Sequence, residues 1–144
     1  MGCQPVKSQI PEIWETEEEK GLSIKQLKVN YTKYAYAHFI QNPPLVLLNH
    51  ATGLKIEVTT RVIREWWNKS RTRPRILSIQ FLDKMIESAL LLKIGVDEKN
   101  TPGIKSVIEF ENRCRINGEL YKTRIIVKEQ PGRHFVYYFG AVRA

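Results

Sequence analysis

The sequence predicts an α+β fold in which N-terminal helices and a small hairpin pack on one face of a C-terminal antiparallel sheet. Two observations carry this. Ile104 to Ala144 reads as three strands in a row, IKSVIEFENRCRI, ELYKTRIIVK and HFVYYFGAVR, joined by Asn117-Gly118 and by EQPGR. Asn-Gly between alternating runs is the strongest short hairpin signal, because both central residues of a type I′ turn need positive φ. Residues 23–90 instead repeat their apolar positions at helical spacing, interrupted by one short strand pair.

Residues 1–22 read as an N-terminal tail, and 23–144 as a single domain. Pro5 and Pro11 bracket a polar stretch, and Trp14 before ETEEEK is expected to dock on the core. Ser23 is the expected cap of a helix ending near Phe39 or Ile40, with Ile24, Leu27, Tyr31, Tyr34 and His38 near one stripe. LVLLN and LKIEV then flank HATG, a hairpin turning at Gly53 with His50 as an exposed turn residue. Thr59 or Thr60 caps TRVIREWWNK. Adjacent tryptophans cannot share a helix face, so one of Trp66 and Trp67 belongs in the core and the other at a rim. Arg71–Arg75 is a basic linker limited by Pro74. A third helix is expected from Ile76 or Ser78 to Leu90, followed by a short strand or loop over Leu91–Val96 and a loop over Asp97–Gly103.

The Asn-Gly turn fixes a register. Ile116 should face Glu119, then Cys114 Tyr121, Asn112 Thr123, Phe110 Ile125 and Ile108 Val127, which makes one mostly apolar face. The other face pairs Arg113 with Lys122, Glu111 with Arg124, Glu109 with Ile126 and Val107 with Lys128. One face is thus for a core and the other for solvent or a ligand. For the third strand, a five-residue loop pairing Lys128 with His134 sends Phe135, Tyr137 and Phe139 to the core, and His134, Val136 and Tyr138 outward. A four-residue loop would leave three aromatics in water. Burying each is worth about 1.5–3 kcal/mol, so the five-residue loop is the expectation.

Of 144 residues, 42% are hydrophobic and 26% charged, a balance that supports one folded core. The formal charge is +8, with cations concentrated in 61–75 and on the outer face of the sheet, so polyanions, nucleic acid first, are the expected partners. No apolar run approaches a membrane span, and no apolar signal region opens the chain. Cys3 and Cys114 lie far apart without metal-ligand spacing, which favours a reducing, cytoplasmic setting over a disulfide framework. Oligomeric state is not legible.

There is no phosphate-binding glycine motif, HExxH, CxxC or nucleophile elbow. Glu109 and Glu111 are the only converging carboxylates, and cations surround them, so no metal or other cofactor is expected. RNA cleavage without metal needs only a base, a cation at the phosphate and an acid. Glu109 or Glu111 could be the base, and Arg124, Lys122 and Lys128 could hold phosphate. His134, with an ordinary pKa of about 6.5, could serve as acid or base, and Tyr138 could position or stack the substrate. Arg113 and Arg133 extend the cationic surface. The simpler reading of Glu111 and Arg124 is a cross-strand ion pair on a solvated face.

The order of helices, small hairpin and three basic antiparallel strands resembles the barnase–EndoU–colicin–RelE-like nuclease fold. The match is closer to the members attached to phage and mobile-element polyvalent proteins. The residues that carry the resemblance are Asn49, Thr52-Gly53 and Ile56, then VIREWW, IQFLDKMIESA and NGELYKTRIIVKE…YY, spanning roughly Tyr31–Ala144. It implies a barnase/RelE-like arrangement, with a helical layer on one sheet face and the active site on the other. By position, Arg124, Lys128, His134 and Tyr138 are then the candidates. The expectation is an RNA-binding, metal-independent ribonuclease-like domain of a mobile element or toxin system, with an antitoxin or other protein as a further partner. The alternative is an inactive nuclease-like module that binds nucleic acid or protein.

Overall fold

Two capping boxes open the first two helices. In the computed structural model, which describes residues 10–97 and 99–144, the hydroxyls of Thr16 and Ser23 accept hydrogen bonds from the backbone N–H groups of Glu19 and Gln26. Glu19 and Gln26 return the contact to the cap N–H groups. After a two-residue strand, β1 (Glu12–Ile13), they start α1 (Glu17–Lys20) and α2 (Ile24–Phe39). The hairpin β2 (Leu45–Leu48) and β3 (Lys55–Val58) follows, then α3 (Thr60–Lys69), capped by Thr59. Next come α4 (Arg73–Ser78), a 3-10 turn (Ile79–Phe81), α5 (Leu82–Ser88), β4 (Leu90–Gly95), β5 (Ser106–Ile116), β6 (Glu119–Gln130) and β7 (Arg133–Arg143).

The expected third helix is therefore broken, and it stops before Leu90. The cause at its end is Asn49, fully buried in the turn of the β2–β3 hairpin. Its amide donates to the carbonyls of Ile86 and Ala89, taking over helix-end acceptors. Its oxygen accepts from both the N–H and the hydroxyl of Thr52. The stripe of α2 is also rotated from expectation. Leu27, Ala35 and Phe39 are buried and Tyr31 is half-buried, a four-residue repeat, whereas Ile24 and Tyr34 are exposed. Of the tryptophan pair, Trp66 is in the core and Trp67 is at the surface beneath Lys28.

The strands form one curled mixed sheet in the order β1-β5-β6-β7-β3-β2, with β4 also on β5. β1 joins β5 and β3 joins β7 in parallel, the latter at Glu57–Phe135. The small hairpin thus extends the edge of the sheet and does not lie on its face as expected. α3, α4 and α5 cover one face, and α2 packs chiefly on α3, α4 and the 3-10 turn. Phe110, Ile125 and Phe139 are buried beneath them with Trp66, Ile63 and Leu82.

The Asn-Gly turn is made as read, with φ of 51° at Asn117 and 81° at Gly118. Every β5–β6 pair follows the expected register. The third strand does not. Gln130 pairs with Arg133 across Pro131-Gly132, so Glu129 faces His134, Lys128 faces Phe135 and Val127 faces Val136. A bulge then intervenes, and Ile126 faces Tyr138 and Ile125 faces Phe139. Val136 and Phe139 are therefore core residues, and Phe135, Tyr137 and Tyr138 are on the outer side. A two-residue turn replaces the expected five-residue loop, and one extra strand residue lets both ends of β7 bury an apolar side chain.

The segment before Ser23 is also more than a tail. β1 pairs with β5, and the Glu15 carboxylate accepts from Arg73 Nε and Nη2 at 3.0 and 2.8 Å and from Asn117 Nδ2 at 3.1 Å. Trp14 is 60% exposed and lies over Gly118 rather than in the core. Met1–Gln9, with Cys3, are outside the described residues. No helix among the described residues is long and apolar enough to cross a membrane.

Candidate functional site

The face of β5 and β6 turned away from the helices carries Val107, Glu109, Glu111 and Arg113 on one strand, and Lys122, Arg124, Ile126 and Lys128 on the other. Its centre is a cleft of about 500 Å³. Glu109, Arg124, Ile126 and Lys128 form the floor. Lys93 in β4 and the following Asp97 and Lys99 line one side, and Tyr137 and Lys69 the other. Five cationic side chains and two carboxylates meet here, a surplus of three positive charges.

The carboxylates are already engaged. Glu109 accepts from Arg124 Nε at 2.6 Å and lies 3.5 Å from Lys93 Nζ. Burial alone would raise its pKa, but the Arg124 hydrogen bond and the charges of Arg124 and Lys93 outweigh this and hold it below the usual carboxylate value. Asp97 accepts the N–H groups of Thr101 and Lys99 and lies 3.7 Å from Lys128 Nζ. The Thr101 hydrogen bonds are the main cause of its lowered pKa. The side chains of Asp97 and Lys128 are both more than nine-tenths buried, so this is an ion pair in the wall of the cleft.

Tyr137 sits at the bulge. Its hydroxyl accepts from Arg61 Nη2 at 3.0 Å, and Lys128 Nζ is 3.9 Å from the ring centroid. The Arg61 hydrogen bond lowers its pKa. Tyr138 is nearly buried, with Lys69 Nζ 5.0 Å from its ring centroid. Its ring covers Gly140, where any Cβ would collide with the phenol oxygen.

The structure brings Glu109, Arg124 and Lys128 together and puts Tyr138 beside them. Lys122 pairs with Glu111 at 3.4 Å further along the same face, and Arg113 borders a separate hollow with Leu90–Leu92. His134 and Arg133 do not join the group. His134 shares strand alternation with the buried Val136 and sits 3.8 Å from Glu129, at the rim near the small hairpin. Arg133 pairs with Glu57 at 3.1 Å. His134 is thus withdrawn from the expected catalytic group, for the same reason that the loop choice failed.

Sequence reasoning missed Arg61, Lys69, Lys93, Asp97, Lys99 and Tyr137. One signal was present: Arg61, Glu65 and Lys69 repeat every four residues, one row of α3. The basic linker is instead structural. Besides the Glu15 carboxylate, Arg73 serves the carbonyls of Leu22 and Glu19, and Arg75 those of Ala141 and Lys69. Asn49 and Thr52 likewise hold a turn and stand apart from the cleft. Among the described residues, no group of three His, Cys, Asp or Glu side chains could hold a metal ion.

Residues 23–137 match the family model of large polyvalent protein-associated domain 3. No curated protein and no solved structure matches the chain. The chain belongs to the large polyvalent protein-associated domain 3 family, a placement that fits a domain of phage or mobile-element polyvalent proteins.

Proposed function

Starting from that membership, we propose that the domain binds RNA through the outer face of its sheet, holding the phosphate backbone in the cationic cleft. The observation that carries this is convergence. Lys69 from α3, Lys93 from β4, Lys99 from the next loop, and Arg124 and Lys128 from β6 all line one hollow. Lys69, Lys93 and Arg124 are each more than half exposed, free to trade water or a weak ion pair for a phosphate. A helical layer on one face and a site on the other is also what a barnase/RelE-like nuclease fold would present, and this reading treats the domain as related to that fold.

Binding is favoured over hydrolysis. Both cleft carboxylates, Glu109 and Asp97, are already engaged and have lowered pKa values, which makes each a weak proton acceptor. The histidine that would serve as acid lies at the rim.

The test is fluorescence anisotropy with single-stranded RNA over a salt series. Affinity should fall steeply with salt. The triple variant Lys69→Gln, Lys93→Gln, Arg124→Gln should weaken binding on the order of 10- to 100-fold and reduce the log–log salt slope by about 2. Lys25→Gln with Lys33→Gln, on α2, should change little. Equal losses in both variants, or no salt-dependent binding, would refute the assignment. Fragments ending in 2′,3′-cyclic phosphate that disappear in Glu109→Gln would replace binding by catalysis.

A further inference from the structure

A second hollow of about 290 Å³ adjoins the cationic cleft and shares Lys99, Lys128 and Tyr137 with it. We infer that this hollow, walled by Ile104, Phe135 and Tyr137, is a nucleobase subsite. The inference rests on the RNA-binding reading and adds what the strand presents there: one unpaired base.

Four observations point the same way. Phe135 and Tyr137 are half-buried aromatics on the outer side of the sheet, away from the helices that cover the core. Tyr137 follows Phe135 on the outer side and is the residue the β7 bulge leaves unpaired, and bulges are a recurrent means of aiming one side chain away from the regular ladder. Besides Arg61, the remaining lining is Thr101 and Gln130, a hydroxyl and an amide that can both donate and accept, as a base edge requires. The volume lies at the small end of ligand pockets, suited to one planar ring system and not to a folded peptide.

Charge supports the same occupant. Lys128 borders both hollows with its ammonium over the Tyr137 ring. A phosphate held by the exposed Lys99, which also borders both hollows, would join a nucleotide in the large cleft to the nucleotide whose base enters the small one. Arg61, bonded to the Tyr137 hydroxyl with its guanidinium carbon 4.7 Å from that ring's centroid, fixes Tyr137 as a wall and leaves Phe135 as the ring that the base would stack on. Lysine-phosphate contacts hold a strand without reading it, whereas an aromatic wall with an amide can distinguish bases.

The experiment compares short homopolymers of rA, rC, rG and rU, and an abasic ribose-phosphate oligomer, on the whole chain. The wild type should prefer one base, and the abasic oligomer should bind more weakly. Phe135→Ala should lower affinity for the preferred oligomer by about 5- to 150-fold, the span of one base–aromatic stack. It should leave abasic binding and the salt slope unchanged. Gln130→Leu, which spares the aromatic wall, should flatten the preference among bases. Phe135→Leu serves in place of Phe135→Ala if the latter unfolds. Salt-dependent binding with no base preference, indifferent to these substitutions, would overturn the subsite while leaving the cleft in place. Absence of any salt-dependent binding would overturn both.

Discussion

The two long hairpins of this domain share β6 and diverge in how their partner strands leave the turn. β5 and β6 meet at Asn117-Gly118 and pair without interruption from Ile116–Glu119 to Ser106–Glu129. β6 and β7 meet at Pro131-Gly132, and their ladder slips by one residue between Val127 and Ile126. Asn-Gly supports the mirror-image turn, whose twist matches that of paired strands. Pro-Gly, with φ of 78° at Gly132, suits the ordinary type II turn, whose twist does not. The bulge reconciles such a turn with a continuous sheet. The regular ladder builds a floor, and the interrupted one delivers Tyr137 to the cleft above it.

The two ladders are told apart most strongly by truncating one aromatic on each side of β7. Phe139→Ala should cost about 3–5 kcal/mol in denaturant unfolding, because its ring is fully buried beneath the helices. Phe135→Ala should cost about 1 kcal/mol or less, as for other positions outside the core. An uninterrupted ladder with the five-residue loop would put both in the core, so equal costs would rule out the bulge.

A smaller effect belongs to Gly140. Its missing Cβ makes room for Tyr138 to lie across the strand. Gly140→Ala should destabilise by about 1–3 kcal/mol through overpacking, and Gly140→Ala with Tyr138→Leu should recover part of that loss. A neutral single substitution would show that the tyrosine does not lie there.

The smallest effect separates the two turns by pH. The first turn is clamped by Glu15, whose pKa is lowered chiefly by the hydrogen bond from Arg73, against burial and with help from Asn117. A carboxylate depressed on folding contributes stability that is complete above its unfolded pKa, near 4.5, and is lost as pH falls through the folded value. The midpoint of thermal unfolding should therefore decline below about pH 4.5. In Glu15→Gln the decline should be shallower. Part should remain, because Glu109 and Asp97 are lowered in the same direction. An unchanged acid limb in the variant would show that the clamp is thermodynamically silent.

Legibility in the sequence divided along the same line. Ser23 and Asn117-Gly118 each announce a local geometry through their own chemistry and stand where expected, and of Thr59 and Thr60 the first is the cap. The outer-face positions of Glu109, Arg124 and Lys128 followed from strand alternation alone. What escaped depends on contacts across the chain. Asn49 ends α5 from 37 positions away, and Arg73 reads as a free linker cation until Glu15 is folded against it. Lys69 and Arg61 enter the site because α3 runs beside β7, which no periodicity reports. A bulge has no sequence signature as firm as Asn-Gly, so one unpaired residue was enough to misplace His134.

The pairing of β1 with β5 also orders events in time. Glu15 and Asn117 are 102 positions apart, whereas the β5–β6 and β6–β7 pairings close through short turns. Loop-closure entropy makes the nearby meander the earlier structure and the β1 seam a late one. On a ribosome the seam waits longer still, because Asn117 emerges long after Glu15. A segment made well before the three-strand meander is thus among the last to find its place.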